Sequence, residues 1–205
     1  MRHHSAVALL AVVVGLAGCA GIQKPSETGF LSDYSNLEEL SPGHLFYSAG
    51  KSANYTKFIV DPALLLFTPN EVDSPFTQDE LLVLQEYFRD QVVGELSRDD
   101  GYEIVASPGP RVARMRMGIA DVKRTIGALN VTIYTKVTGA GIGGASAEGE
   151  MVDSISGEQL AASIRWGGGS RVLRAGFTEM GDAKLAIDRW ARDLRVQMDE
   201  AHGPR

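Results

Sequence analysis

A chain of 205 residues with a single cysteine, Cys19, cannot close a disulfide on itself, so a packed core must hold any fold it adopts. Histidine is almost as scarce. His3 and His4 stand at the amino terminus, which leaves His44 and, in the predicted carboxyl-terminal tail, His202. A Ser-His-Asp or Cys-His site would therefore depend on His44. A basic excess is also missing: the net charge is -6, which gives none of the clustered cationic footprint that nucleic acid requires. No Gly-Lys-Ser or Gly-Lys-Thr occurs, which excludes a phosphate loop of that kind. Past residue 19 no second long apolar run occurs, so no further helix is expected to span a bilayer, which takes about 20 apolar residues.

What the amino terminus does contain is an export pattern. Arg2 is its one formal charge, Ser5 to Gly15 are mostly apolar, and Leu16-Ala17-Gly18-Cys19 closes the run with small residues. This stretch resembles the lipobox of bacterial lipoproteins. The resemblance implies cleavage between Gly18 and Cys19, diacylglycerol on the thiol, and an N-acyl chain such as palmitate on the new amino terminus. An ordinary signal peptide with a chance cysteine is the plainer alternative. Residues 1–18 are thus expected to be removed, and Ala20, where an Asp would favour retention at the inner membrane, points by the same analogy to the outer membrane. One acyl chain binds a bilayer marginally, whereas several anchor a protein.

Residues 19–50 are expected to form a tether and an amino-terminal segment. Ala20 to Thr28 is small and polar, with Lys24, Pro25 and Ser26, whereas Phe30, Leu31, Tyr34, Leu37 and Leu40 are too apolar for a bare spacer. Phe30, Leu31 and Tyr34 are accordingly candidates for docking on the chain's own domain or on a partner.

A folded domain is expected over 51–202. Lys57 to Val60 and Leu64 to Phe67 read as strand, interrupted by Asp61-Pro62. Thr77-Gln78-Asp79-Glu80 is a capping-box pattern, followed by Leu81, Leu84, Phe88, Val92 and Leu96 at helical spacing, with Asp99-Asp100-Gly101 as the stop. The period then falls to two. Tyr102 to Ala106, Val112 to Val122, Val131 to Val137, Ala145 to Asp153 and Glu158 to Trp166 are predicted strands, the last two joined as a hairpin. Asp182 is predicted to cap a final helix whose Ala183, Ile187, Trp190, Leu194, Met198 and Ala201 form one stripe. The expected fold is α+β, a mainly antiparallel sheet of about five strands packed by two amphipathic helices.

The lipobox, Gly29-Phe30-Leu31-Ser32-Asp33-Tyr34, the helix after Phe76-Thr77, and the run from Val152 to Ala162 together resemble a family of Gram-negative bacterial lipoproteins known as domain of unknown function 3313. That family brings no catalytic residues. The order of elements is also similar to envelope lipoproteins with a TolB-amino-terminal-like or curli-secretion-like domain, which work by binding partners.

Three other stretches carry residues of known chemistry. Gly144-Ala145-Ser146-Ala147-Glu148 approaches a nucleophile elbow but lacks the last glycine and enters a strand. Gly139-Ala140-Gly141-Ile142-Gly143-Gly144 matches a dinucleotide fingerprint in letters, yet a strand follows where a helix is needed. Glu148 and Glu150 share one strand face opposite Arg114 and Arg116, which reads as a solvated ion-pair face, with an anion or glycan site as the sharper alternative. No metal set and no cofactor other than the covalent lipid is expected. The expected function is a non-catalytic, lipid-anchored outer-membrane protein, facing the periplasm, that binds or scaffolds an envelope partner, with no nucleic acid or nucleotide. The alternatives are a subunit of an oligomeric secretion channel, in which Thr125 to Asp153 would lengthen into membrane strands, and a weak hydrolase using His44.

Overall fold

The computed structural model describes residues 27–67, 76–123, 144–168 and 180–203. The signal, Cys19, the strand expected over 131–137 and most of the 139–144 glycine run lie outside them. The described chain forms eight strands and two long helices: β1 (Glu38–Ser41), β2 (His44–Ser48), β3 (Lys57–Val60), β4 (Leu64–Leu65), α1 (Gln78–Ser97), β5 (Glu103–Ile104), β6 (Val112–Lys123), β7 (Gly144–Asp153), β8 (Gln159–Gly168) and α2 (Gly181–His202). A single 3-10 turn covers Ser52–Asn54. Among the described residues no helix is long and apolar enough to cross a membrane.

The sheet runs β1-β2-β8-β7-β6-β3-β5, and β4 also pairs with β6. The fold is α+β as expected, but the sheet is mixed and has eight strands rather than a mainly antiparallel five. From β1 to β6 along the sheet the pairs are antiparallel, whereas β3 runs parallel to both β5 and β6, and β4 parallel to β6. The reason lies in α1, which carries the chain from the β3–β4 region back to β5 and so makes a parallel crossover. The two strands that no predicted stretch covers, β1 and β2, are short and lie inside the segment 19–50 that the sequence groups with the tether. Pro42-Gly43 turns between them. Gly43 has φ +82°, and a Cβ there would come within 2.5 Å of the Trp166 carbonyl oxygen.

α1 begins as its sequence predicts. The Thr77 hydroxyl accepts from the Glu80 amide at 3.3 Å, and the Glu80 carboxylate accepts from the Thr77 amide at 2.7 Å. Leu81, Leu84, Phe88, Val92 and Leu96 are its buried residues. They meet Phe58 and Val60 of β3, Ala113, Met115, Met117 and Ile119 of β6, and Ala145, Ala147 and Met151 of β7. Beyond its last turn, the Arg195 guanidinium of α2 donates to the carbonyls of Glu95, Leu96 and Arg98 at 2.9, 3.1 and 2.9 Å. A cation thus satisfies the open end of α1.

α2 departs from expectation in two respects. Its N-cap is Met180, with no side-chain cap bond, and Asp182 lies buried in the first turn. Its buried stripe is Ala183, Ala186, Ile187, Ala191 and Met198, while Trp190 and Leu194 are half-buried and Ala201 is exposed. His202 is not in a loose tail. It is the last residue of α2, with Nδ1 2.7 Å from the Met198 carbonyl and Nε2 2.9 Å from that of Tyr55.

Candidate functional site

Strand alternation divides β7 between two environments. Ala145, Ala147 and Met151 face the helices, and Glu148 and Glu150 face away from them. In a sheet with helices on one side, that second face would ordinarily meet water. Here it does not: Glu148 is 1% and Glu150 4% exposed. The expectation of a solvated carboxylate pair is therefore overturned, because residues 28–37 lie across the face as an arm.

The arm is held by both carboxylates. Glu148 accepts from the Thr28 amide at 3.0 Å and from the Tyr34 hydroxyl at 2.5 Å. Glu150 accepts from the Ser32 amide at 2.8 Å, the Ser32 hydroxyl at 3.1 Å and the Gln159 amide nitrogen at 2.8 Å. Arg116, directly opposite Glu150 in the ladder, pairs with it at 2.5 Å, and its guanidinium stands 5.2 Å from the centre of the Phe30 ring. The other predicted arginine does not join: Arg114 pairs with Asp61 at 2.7 Å, and Gly118 is the residue opposite Glu148. Burial first, and then the bond to Glu148, push the Tyr34 phenol above its ordinary value, so it remains a proton donor at neutral pH.

Apolar contacts complete the clamp. Leu31 is buried with Ala162 and Ile164 of β8, and Phe30, Tyr34, Leu37, Leu45, Tyr47 and Trp166 pack around them. The Leu31 amide donates to the Tyr34 hydroxyl at 3.1 Å, folding the arm back on itself. Asp33 turns the next residues by accepting from the Ser35 amide at 2.8 Å, and that backbone bond lowers its pKa.

Phe30, Leu31, Tyr34, Arg116, Glu148 and Glu150 are thus brought together, and Arg114 is placed apart. Thr28, Ser32, Gln159 and Trp166 are members that sequence reasoning missed. Only Trp166 carried a signal, as the one tryptophan in a predicted strand. The others act through amides or small hydroxyls, which have no periodic signature.

His44 lies elsewhere, on β2 opposite Arg165. It is buried, its Nε2 has no hydrogen-bond partner among the described residues, and burial followed by the nearby Arg165 charge lowers its pKa to about 4. Ser146 of the near-elbow motif is a buried strand residue whose hydroxyl has no partner among the described residues. Among the described residues no group of three or more metal-ligating side chains forms a metal site.

The chain belongs to the family described as protein of unknown function, domain of unknown function 3313, whose model matches residues 26–194. No protein with a curated description matches it in sequence. Among solved structures it is similar to two PelC dodecamers from Paraburkholderia phytofirmans. One, a point variant, has 12% identity and a TM-score of 0.46, covering 74% of this chain and 95% of that one. The other has 10% identity and a TM-score of 0.46, covering 79% and 97%.

Proposed function

We propose that this member of a family with no assigned activity is a non-catalytic lipoprotein of the bacterial envelope, anchored through Cys19 in the outer membrane, that holds or scaffolds an envelope partner. The observation carrying this reading is the arm. The residues that follow the tether are clamped to the sheet by two buried carboxylates, so a pull on the lipid is borne by β7, the middle of the sheet. Ten residues, Cys19 to Thr28, can span at most about 35 Å whatever their conformation, which keeps the domain near its bilayer. A rigid mount close to a membrane suits a protein that positions another.

The hydrolase reading draws little support, since a base whose pKa is about 4 is a weak proton acceptor at neutral pH. The channel reading would place β7 in lipid, although its residues 144–153 are paired on both sides and mostly buried. Fractionation of Cys19→Ala tests the anchor: the variant should lose lipid labelling and move to the soluble fraction. If it stays with membranes at high salt, the anchor is wrong. Crosslinking in cells from exposed positions such as Ile155 should capture one recurring partner, and capture of copies of this chain in a ring would favour the channel.

A further inference from the structure

On the helix side of the sheet, small residues leave a space unfilled. Ala147, Gly149 and Ala161 form part of the floor where α2 crosses β7 and β8, and beneath Trp190 and Leu194 there is a cavity of about 120 Å³, partly open to solvent. Its walls include Phe46, Phe88, Met115, Met117 and Met151, and its surface is almost entirely apolar. An apolar cavity of about 150 Å³ is dry and takes up benzene, so this one has room for about five carbon atoms, and a longer chain would continue into its open mouth. Three methionines in the lining can readjust to a flexible guest. Arg165 and Gln197 also line it.

Arg116 and Arg165 both line the cavity, but Arg116 is taken by Glu150 on the arm's side of the sheet, so Arg165 is the cation on the helix side. Its side chain is 12% exposed and pairs with Asp193, which is 55% exposed, at 2.6 Å. Burial lowers its pKa, so the charge is poorly solvated where it stands. An anionic group arriving from solvent would complement it, in the way guanidinium forks bind carboxylates.

We propose that this cavity binds a small anionic amphiphile, a monocarboxylate of roughly eight carbons, with the last five or so carbons of its alkyl chain between the sheet and α2, the rest in the open mouth and its carboxylate at Arg165. The site lies on the opposite face of the sheet from the arm, and does not depend on the anchor or on a partner. Trp190 reports on it, while Trp166 packs on the other face beside the arm.

The probe is 8-bromooctanoate, whose bromine quenches nearby tryptophan. With the purified protein carrying Trp166→Phe, quenching of Trp190 should saturate below millimolar concentration. Filling the space with Ala161→Leu, or with Leu194→Phe at its half-exposed border, should weaken binding at least tenfold, read in whichever variant keeps the parent circular dichroism. Octanoate should displace the probe better than octanol, and Arg165→Gln should remove that preference while leaving octanol within about twofold. Non-saturating quenching, binding that survives a filled and folded cavity, or equal displacement by octanoate and octanol on the parent protein would each overturn the proposal. The displacement comparison decides the matter even if both filling variants unfold.

Discussion

Two carboxylates two residues apart on one strand are both buried here, yet they are stabilised differently. Glu150 has a cation, Arg116, and three further donors, whereas Glu148 is held by one phenol and one backbone amide. Removing Glu150 leaves the Ser32 amide and the Gln159 amide without their acceptor and Arg116 without its charge partner. Glu150→Ala should therefore cost about 2–4 kcal/mol in chemical denaturation, moderated because Arg116 can still reach water. Glu148→Gln keeps an acceptor and should cost less. His44 gives the pH counterpart. Its pKa falls from 6.5 to about 4 on folding, so the unfolded chain binds the proton first. The stability from keeping it neutral is complete above pH 6.5 and is lost as pH falls toward 4, with a total on the order of 3 kcal/mol. Denaturation midpoints measured from pH 7.5 to 4 should show the parent losing stability relative to His44→Leu as the pH falls; parallel curves would refute this.

The two helices show how far a stripe of apolar residues can be trusted. On α1 the predicted stripe and the buried residues coincide, since that face is closed by strands and by α2 together. On α2 the largest member, Trp190, is only partly covered, because β7 and β8 present alanine and glycine beneath it. Trp190→Ala should thus cost less than the ~3–5 kcal/mol of a fully buried tryptophan, and less than Leu84→Ala, whose side chain has no exposed surface. Comparing the two denaturation midpoints decides it; a larger loss at Trp190 would mean that the cavity is closed in solution.

Across the whole molecule, the sheet separates two kinds of contact, with helices and the main core on one face and the arm on the other. The arm contributes Leu31 and the rings of Phe30 and Tyr34 to that second cluster, enough apolar burial to offset the ordering of a short segment. Hydrogen exchange should therefore be slow at the Leu31 and Ser32 amides, which donate to Tyr34 and Glu150. Exchange there at the random-coil rate would mean that the arm is free and its face of the sheet open to a partner.

What the sequence determined by itself was local. The capping box at Thr77, the α1 stripe, strand β3 at Lys57–Val60 and the β7–β8 hairpin follow from hydrogen-bonding groups and periodicities within a few residues of one another. It also put Glu148 and Glu150 on one face, because side chains alternate along a strand. Whether that face met water was decided only by the tertiary structure, since the arm that covers it is more than a hundred residues away in sequence. The same holds for the parallel pairing of β3, which depends on where α1 returns the chain, and for the pairing of Arg114 with Asp61 instead of a glutamate. Spacing along a chain records which residues share a surface; what is laid against that surface is set by the path of the rest of the chain.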